Sequence, residues 1–427
     1  VVEVQRLAAR AVESVLAGGS LDAALAAAWR RPARLESRSR AAIQDLAYGT
    51  LRFLPRFEAL LGDLLDRPLE DRRLRALLLV TLYQLERTRA APHAVVDAAV
   101  RTTGTLRLAS AKGLVNAVLR NFLRRRAQLL ARAQREEPAR YCHAQWWIDK
   151  LRAQYPARYT GVLEAGNEHP PLALRVNARR STPREYVEAL ARHGLQGKAC
   201  GAACVVLAKP LPAERIPGLA EGVVSVQDAA AQLAAPLLDA RDGMRVLDAC
   251  SAPGGKGTHA LELATIDLTA LDNDATRLER VRSNLARLGL RARLVCGDAC
   301  EPQPWWDGRR YDRILADVPC SASGIVRRHP DIKWLRRPGD IAGFARTQSR
   351  MLDALWQLLA SGGKLLYVTC SVFQEENSEQ IAGFLGRHRD ATRLGLPAVD
   401  DDLQQPAGQL LPDGRHDGFF YALLQKS

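Results

Sequence analysis

Apolar residues recur three and four positions apart through the first 135 residues, as in Leu74, Leu77, Leu78, Leu82 and Leu85. That spacing lines one face of a helix. With Pro and Gly scarce, the segment predicts several helices of ten to twenty residues packed as an all-α domain. A connector follows at Glu136–Ala139. Trp146, Trp147, Ile148 and Leu151 then predict a short amphipathic helix ending near Pro156, its tryptophan pair assigned to the core rather than to base stacking. Pro170-Pro171 interrupts the chain. Beyond it Leu172–Asn177 reads as a strand and Pro183–His193 as a helix, giving a small α+β subdomain.

From about residue 225 the pattern alternates. Strands are predicted at Arg245–Leu247, Leu268–Leu271, Ala292–Val295, Ile314–Ala316, Lys364–Val368 and Phe419–Leu424. Helices stand between them, among them Ala275–Leu288 and Phe344–Leu359, while Thr392–Arg415 reads as a loop. Such alternation predicts an α/β domain with a parallel sheet covered on both faces. The expected organisation is a helical domain over 1–135, a linker helix and α+β subdomain over 140–224, and a Rossmann-like domain over 225–427.

Composition changes this picture in two ways. The chain of 427 residues carries a formal charge of +14, and residues 1–135 hold +12 of it, from 24 Lys and Arg against 12 Asp and Glu. Arg30-Arg31, Arg38 with Arg40, Arg72-Arg73 and Arg124-Arg125-Arg126 are local clusters. Together they favour RNA held by charge rather than by sequence. Arg327, Arg328 and Lys333 are an alternative basic surface. Eight cysteines in so long a chain do not make a disulfide scaffold. Cys200 and Cys204 lie in an Ala/Gly-rich run without further ligands, so no metal site is expected. No stretch approaches the roughly 18 apolar residues of a membrane span. A cytoplasmic monomer with no membrane partner is the expectation. Because the sequence begins at Val1 without a methionine, a few leading residues are expected to precede it.

The candidate chemistry centres on Val246–Gly257, a strand, a small-residue turn with adjacent glycines, and the start of a helix. Such a turn lets backbone N–H groups approach a ligand at a helix N-terminus. A dinucleotide fingerprint would need G-x-G-x-x-G, and a P-loop would need a glycine and a hydroxyl residue where this chain has Cys250 and Gly257. Asp248 and Asp272, each ending a strand, suit a ribose-bearing ligand instead, and S-adenosylmethionine is the better fit. Further polar groups end the following strands: Asp298, then Asp317-Val318-Pro319-Cys320, then Thr369-Cys370-Ser371. Two cysteines at neighbouring strand ends beside a methyl donor suggest thiolate addition to carbon 6 of a cytosine, which makes carbon 5 nucleophilic enough to take a methyl group.

These residues resemble motifs of the RNA cytosine-C5 methyltransferases, the RsmB/NSUN family, at Leu247–Lys256, Asp317–Ser321 and Thr369–Ser371. Gly324–Trp334, Gln374–Ser378 and Asp417–Ala422 are similar to its bacterial RsmB branch, and the helical domain resembles NusB. The resemblance covers essentially the whole chain. It implies a methyltransferase acting on 16S ribosomal RNA or a small-subunit precursor, of the type that modifies cytosine 967. It also implies that Cys370 is the nucleophile and that Cys320 assists product release, with Asp317 and Lys256 completing the catalytic set. For the cofactor it implies Cys250, Ser251, Ala252, Pro253, Gly254, Gly255 and Lys256 on the methionine and ribose side. Asp272 would then hold the ribose hydroxyls and Asp298 the adenine, with Asp317 between cofactor and base. Ser251 and Gly257 depart from the usual Ala and Thr. The rival readings are a transfer-RNA methyltransferase, against which the NusB-like domain argues, and a non-catalytic assembly factor, against which both intact cysteines argue.

Overall fold

The computed structural model describes residues 1–30, 35–397 and 408–427. Packing divides the chain into two units, Val1–Glu168 with Val326–Pro338, and His169–Ile325 with Gly339–Ser427.

The first unit is helical. Its longer helices are Val2–Leu16, Ser37–Arg52, Leu54–Leu64, Arg72–Arg87, Pro92–Thr105 and Lys112–Ala133. The helix Arg72–Arg87 shows why the periodicity was informative. Asp71 caps its start by accepting the N–H groups of Arg73 and Leu74, and Leu74, Leu77, Leu78, Leu82 and Leu85 are all buried in one core. Arg31 lies outside the described residues. The helices Glu137–Tyr141, Gln145–Gln154 and Tyr159–Ala165 also belong to this unit, so the packing boundary falls at Glu168. Trp147 is core, and Trp146 is half-buried beside it.

The segment Val326–Pro338 completes the helical unit from far along the chain. Asp331 Oδ2 accepts the Leu21 N–H at 3.0 Å, and Trp334 Nε1 donates to Leu51 O at 2.8 Å. Lys333 Nζ donates to the carbonyls of Arg52 and Cys142, both at 3.2 Å, and to Asn167 Oδ1 at 2.6 Å. Arg327 and Lys333 are each only 1% exposed. This corrects their reading as an RNA surface: Lys333 spends its three donors on the protein interior and cannot reach a phosphate.

The second unit begins with a four-stranded antiparallel sheet of β1 (Leu172–Val176), β2 (Gly197–Cys200), β3 (Cys204–Leu207) and β4 (Val224–Val226), in the order β2-β3-β1-β4. Cys200 and Cys204 are cross-strand partners in the β2–β3 hairpin. No group of three or more metal-ligating side chains occurs among the described residues. The helix Pro183–Arg192 opens with a capping box between Thr182 and Glu185.

The larger sheet contains β5 (Arg245–Ala249), β6 (Asp267–Asp272), β7 (Arg293–Cys296), β8 (Tyr311–Asp317), β9 (Leu359–Thr369), β10 (Ala391–Leu394), β11 (Gln409–Leu410) and β12 (Phe419–Lys426). Its order is β10-β12-β9-β8-β5-β6-β7, with β11 paired to β12. The strands β9, β8, β5, β6 and β7 are parallel, as the alternation predicts. However, β12 runs antiparallel to β9 and β10 antiparallel to β12, which makes the sheet mixed. A run such as Phe419–Leu424, buried on both faces, looks the same whichever way it points. The expected loop over Thr392–Arg415 is likewise corrected, since its ends form β10 and β11; residues 398–407 lie outside the described residues. Among the described residues no helix is long and apolar enough to cross a membrane.

Candidate active site

Register decides what gathers at the sheet edge. Ala249 of β5 stands level with Leu271 of β6 and Ala316 of β8, and Ala316 with Tyr367 of β9. One residue further, Cys250, Asp272, Asp317 and Val368 emerge together, and the next turns carry Cys320 and Cys370. Parallel strands thus bring residues 120 positions apart to one edge, where open α/β sheets bind ligands.

The turn after β5 is shaped by two glycines. Gly254 has φ of 96°, and a Cβ there would stand 3.1 Å from Val281 Cγ1. A Cβ on Gly257 would lie 2.4 Å from Asp248 Oδ2, so this departure from the family pattern lets the helix Gly255–Leu263 rest against that carboxylate. Asp248 Oδ2 accepts the Ser251 hydroxyl at 2.9 Å. Its Oδ1 is buried with no hydrogen-bond partner among the described residues. Burial pushes the carboxyl up to about 7, against the lowering effect of the Ser251 hydrogen bond. Asp272, 2% exposed, accepts the Ala252 N–H at 3.1 Å and the Asp274 N–H at 3.2 Å, so it also holds the turn. Asp298 is exposed, and its Oδ1 accepts the Cys300 N–H at 2.8 Å. Burial, followed by Asp317 and Asp272, raises the Cys250 thiol far above its ordinary value, which leaves it a neutral wall residue. A narrow glycine turn, an orphaned buried carboxylate oxygen and a second aspartate at the next strand end fit S-adenosylmethionine. Cys250, Ser251, Ala252, Pro253, Gly254 and Gly255 lie along this turn as expected.

Lys256 leaves the turn toward β8, where its Nζ meets Asp317 Oδ2 at 2.5 Å and stands 5.4 Å from the Phe419 ring centre. Burial opposes its charge, but Asp317 and, less strongly, Cys370 hold it above the ordinary lysine value. The Cys320 and Cys370 Sγ atoms are 3.4 Å apart. Their settings differ: Cys320 is 9% exposed, whereas Cys370 is half-buried. The hydrogen bond with Cys370, then burial, raises the Cys320 thiol well above its ordinary value.

Two backbone carriers of this site were legible only as motif glycines. The Gly324 N–H donates to Cys370 O, and the Gly418 N–H to Gly324 O, both at 2.9 Å. A Cβ on Gly324 would lie 2.2 Å from Gly418 O, so backbone would have to move. Gly324→Ala is therefore expected to destabilise the protein by about 2 kcal/mol or more and to lower activity further than stability alone accounts for. Thermal melts and turnover measured side by side check this, and a variant matching wild type in both would refute the close approach.

Sequence reasoning missed Arg175. It sits in β1, 1% exposed, and donates to Gly255 O at 2.5 Å, Gln227 Oε1 at 2.6 Å, Thr258 Oγ1 at 3.2 Å and both oxygens of Glu262. The small antiparallel sheet is thus fastened to both ends of the helix Gly255–Leu263. In the sequence it is one arginine among many, with no local sign of partners about 85 positions away. A cavity of about 770 Å³ opens beside it, lined by Pro253, Gly255, Asn284 and Arg287 among others, but Lys256, Asp317 and the two cysteines lie outside its lining.

An open mixed sheet whose parallel strands end in a glycine turn, a buried aspartate and a thiol pair fits an S-adenosylmethionine-dependent methyltransferase. Family models match along the chain: the NusB family over residues 3–124, the ferredoxin-like domain of RsmF/B-type methyltransferases over 143–214, and the 16S rRNA methyltransferase RsmB/F over 235–425. The ribosomal RNA small subunit methyltransferase B of Pseudomonas putida is 45% identical, covering 98% of this chain and 97% of its own. That of Vibrio cholerae is 44% identical, covering 100% and 98%. A methyltransferase homologue from Pyrococcus horikoshii superposes on 68% of the chain with a TM-score of 0.59 at 28% identity. The chain belongs to the RsmB/F family of methyltransferases.

Proposed function

We propose that this protein methylates carbon 5 of a cytosine in 16S ribosomal RNA, at the position-967 site of its family type, through a covalent bond between Cys370 and carbon 6. The observation that carries this reading is the pair of thiols 3.4 Å apart at adjacent strand ends, beside the Lys256–Asp317 pair. The names of the relatives support ribosomal RNA over transfer RNA, and the paired thiols support catalysis over a binding role alone.

When bound, S-adenosylmethionine supplies an electrophilic methyl group on a sulfonium. The chain's residues do the rest. Cys370, the less buried thiol, adds to carbon 6 as thiolate, and the carbon 5–carbon 6 electron pair becomes available at carbon 5. Asp317 accepts a hydrogen bond from the cytosine amino group and so orients the base, while Lys256, paired with Asp317, supplies the positive charge that favours the shift of electrons into the ring. After carbon 5 takes the methyl group, loss of its proton re-forms the double bond and expels Cys370. Cys320, held as a thiol by burial and its neighbour, passes its proton to the departing Cys370 sulfur 3.4 Å away and takes up the one lost from carbon 5, so that both sulfurs end as thiols. Asp272 and Asp298 hold the ribose and adenine. The target base must leave its stack to reach the thiols, at a cost of a few kcal/mol. Bisulfite sequencing of 16S RNA after incubation with the full chain and cofactor tests the assignment. Conversion of every cytosine would overturn it, and protection of transfer RNA alone would favour the rival substrate.

The helical unit supplies the phosphate contacts in this reading. Arg124 and Arg126 are exposed on the helix Lys112–Ala133, with Arg125 half-buried between them. Replacing all three by Gln is expected to flatten the dependence of log affinity on log salt by about 0.7 per lost contact, with cofactor binding unchanged. An unaltered slope in a filter-binding titration would place the RNA elsewhere.

A further inference from the structure

We infer that Glu376 is a positioning residue that clamps the two cysteine-bearing turns together and so fixes the separation of the thiols. The inference rests on the reading in which both cysteines act. Glu376 lies in the short turn Gln374–Glu376 after β9 and is fully buried. Its Oε2 accepts the hydroxyls of Ser321 and Ser371, each at 2.6 Å. Its Oε1 accepts the Ser321 backbone N–H at 2.7 Å and Gln348 Nε2 at 3.1 Å. Ser321 follows Cys320 and Ser371 follows Cys370, so one carboxylate grips the residue next to each thiol. Gln348 also donates to Pro319 O at 3.0 Å, which ties the same turn from its other side.

Among the described residues all four donors are neutral. A carboxylate buried without a cation costs several kcal/mol in desolvation, and short hydrogen bonds to charge offset that only when their geometry is well set. Stability alone would be served as well by apolar packing. What a carboxylate adds is four acceptor directions on a rigid plane, enough to join two loops at one point. The charge has a second effect: after the Cys370 hydrogen bond, burial and the Cys370 charge, Glu376 helps keep Cys320 protonated.

The test combines turnover with a chemical ruler. Diamide oxidises two adjacent thiols to a disulfide, itself taking up both protons and electrons to become a hydrazine, and the rate reports how often the sulfurs meet. In Glu376→Ala the clamp is gone. Its kcat is expected to fall about 10²-fold, the scale for misplacing a reacting group by 1 Å, with cofactor Kd and RNA KM unchanged. The Cys320–Cys370 disulfide, followed by peptide mapping, should form at least about tenfold more slowly, by the same loss of proximity. Glu376→Gln, which still spans both turns by reversing the two hydroxyls, should recover most of both quantities. If Glu376→Ala does not fold, the double variant Ser321→Ala with Ser371→Ala takes its place. A disulfide rate equal to wild type would overturn the clamp, whatever the turnover. A slowed disulfide with full turnover would uphold the clamp and overturn instead the reading that both thiols act.

Discussion

Cys370→Ala is expected to abolish methylation and to form no covalent complex with RNA, whereas Cys320→Ala is expected still to attack and methylate but to release slowly, so that enzyme–RNA adducts accumulate. The asymmetry follows from the two settings. Cys370 is half-buried and faces the Lys256 charge; Cys320 is 9% exposed and raised well above its ordinary value by its hydrogen bond to Cys370 and by burial. In the proposed mechanism one thiol makes the bond and the other relays the proton whose removal breaks it. Loss of a positioned proton-transfer group typically slows its step by about 10²–10⁴-fold, enough for an adduct to survive denaturing electrophoresis. A stable adduct with Cys370→Ala but none with Cys320→Ala would reverse the assignment.

Asp272→Ala is expected to weaken S-adenosylhomocysteine binding by about 1.5–3 kcal/mol, the range for a lost hydrogen bond to a charged group, or roughly 10- to 150-fold. Two losses add here. In the proposed reading the ribose hydroxyls lose a carboxylate acceptor, and the Ala252 N–H, held by Asp272 at 3.1 Å, no longer fixes the turn. Asp272→Asn keeps an acceptor for that N–H and should fall between. Asp298 is exposed, so Asp298→Ala should cost less than Asp272→Ala. Calorimetry decides, and unchanged affinity in Asp272→Ala would sink the ribose role.

Legibility in the sequence tracked the range of the interactions. Helix Ala275–Leu288 was readable to the residue because its signals are local: Asp274 caps one end and Gly289, with φ of 69°, ends the other. The strand ends were readable because polar residues stop apolar runs there, and that placed Cys320, Cys370, Asp272 and Asp317 at a common edge. The antiparallel direction of β12 left no local trace. Glu376 was visible within Gln374–Ser378 but not as a clamp, since nothing local tells which of Glu375 and Glu376 turns inward. Arg327 and Lys333 were misread because a basic run looks the same whether it meets phosphate or buried carbonyls.

The threading of Val326–Pro338 into the helical unit has a consequence for synthesis. Bonds such as Leu21 to Asp331, 310 residues apart, cannot form while the chain is still short. At ribosomal speeds of about 5–20 residues per second, the stretch between Glu168 and Val326 delays that closure by on the order of 10–30 s. Until then the helices present an open socket for Trp334 and Lys333. The helical unit therefore completes its own packing only after residues 326–338 have been made, so the part of the chain synthesised first is among the last to close.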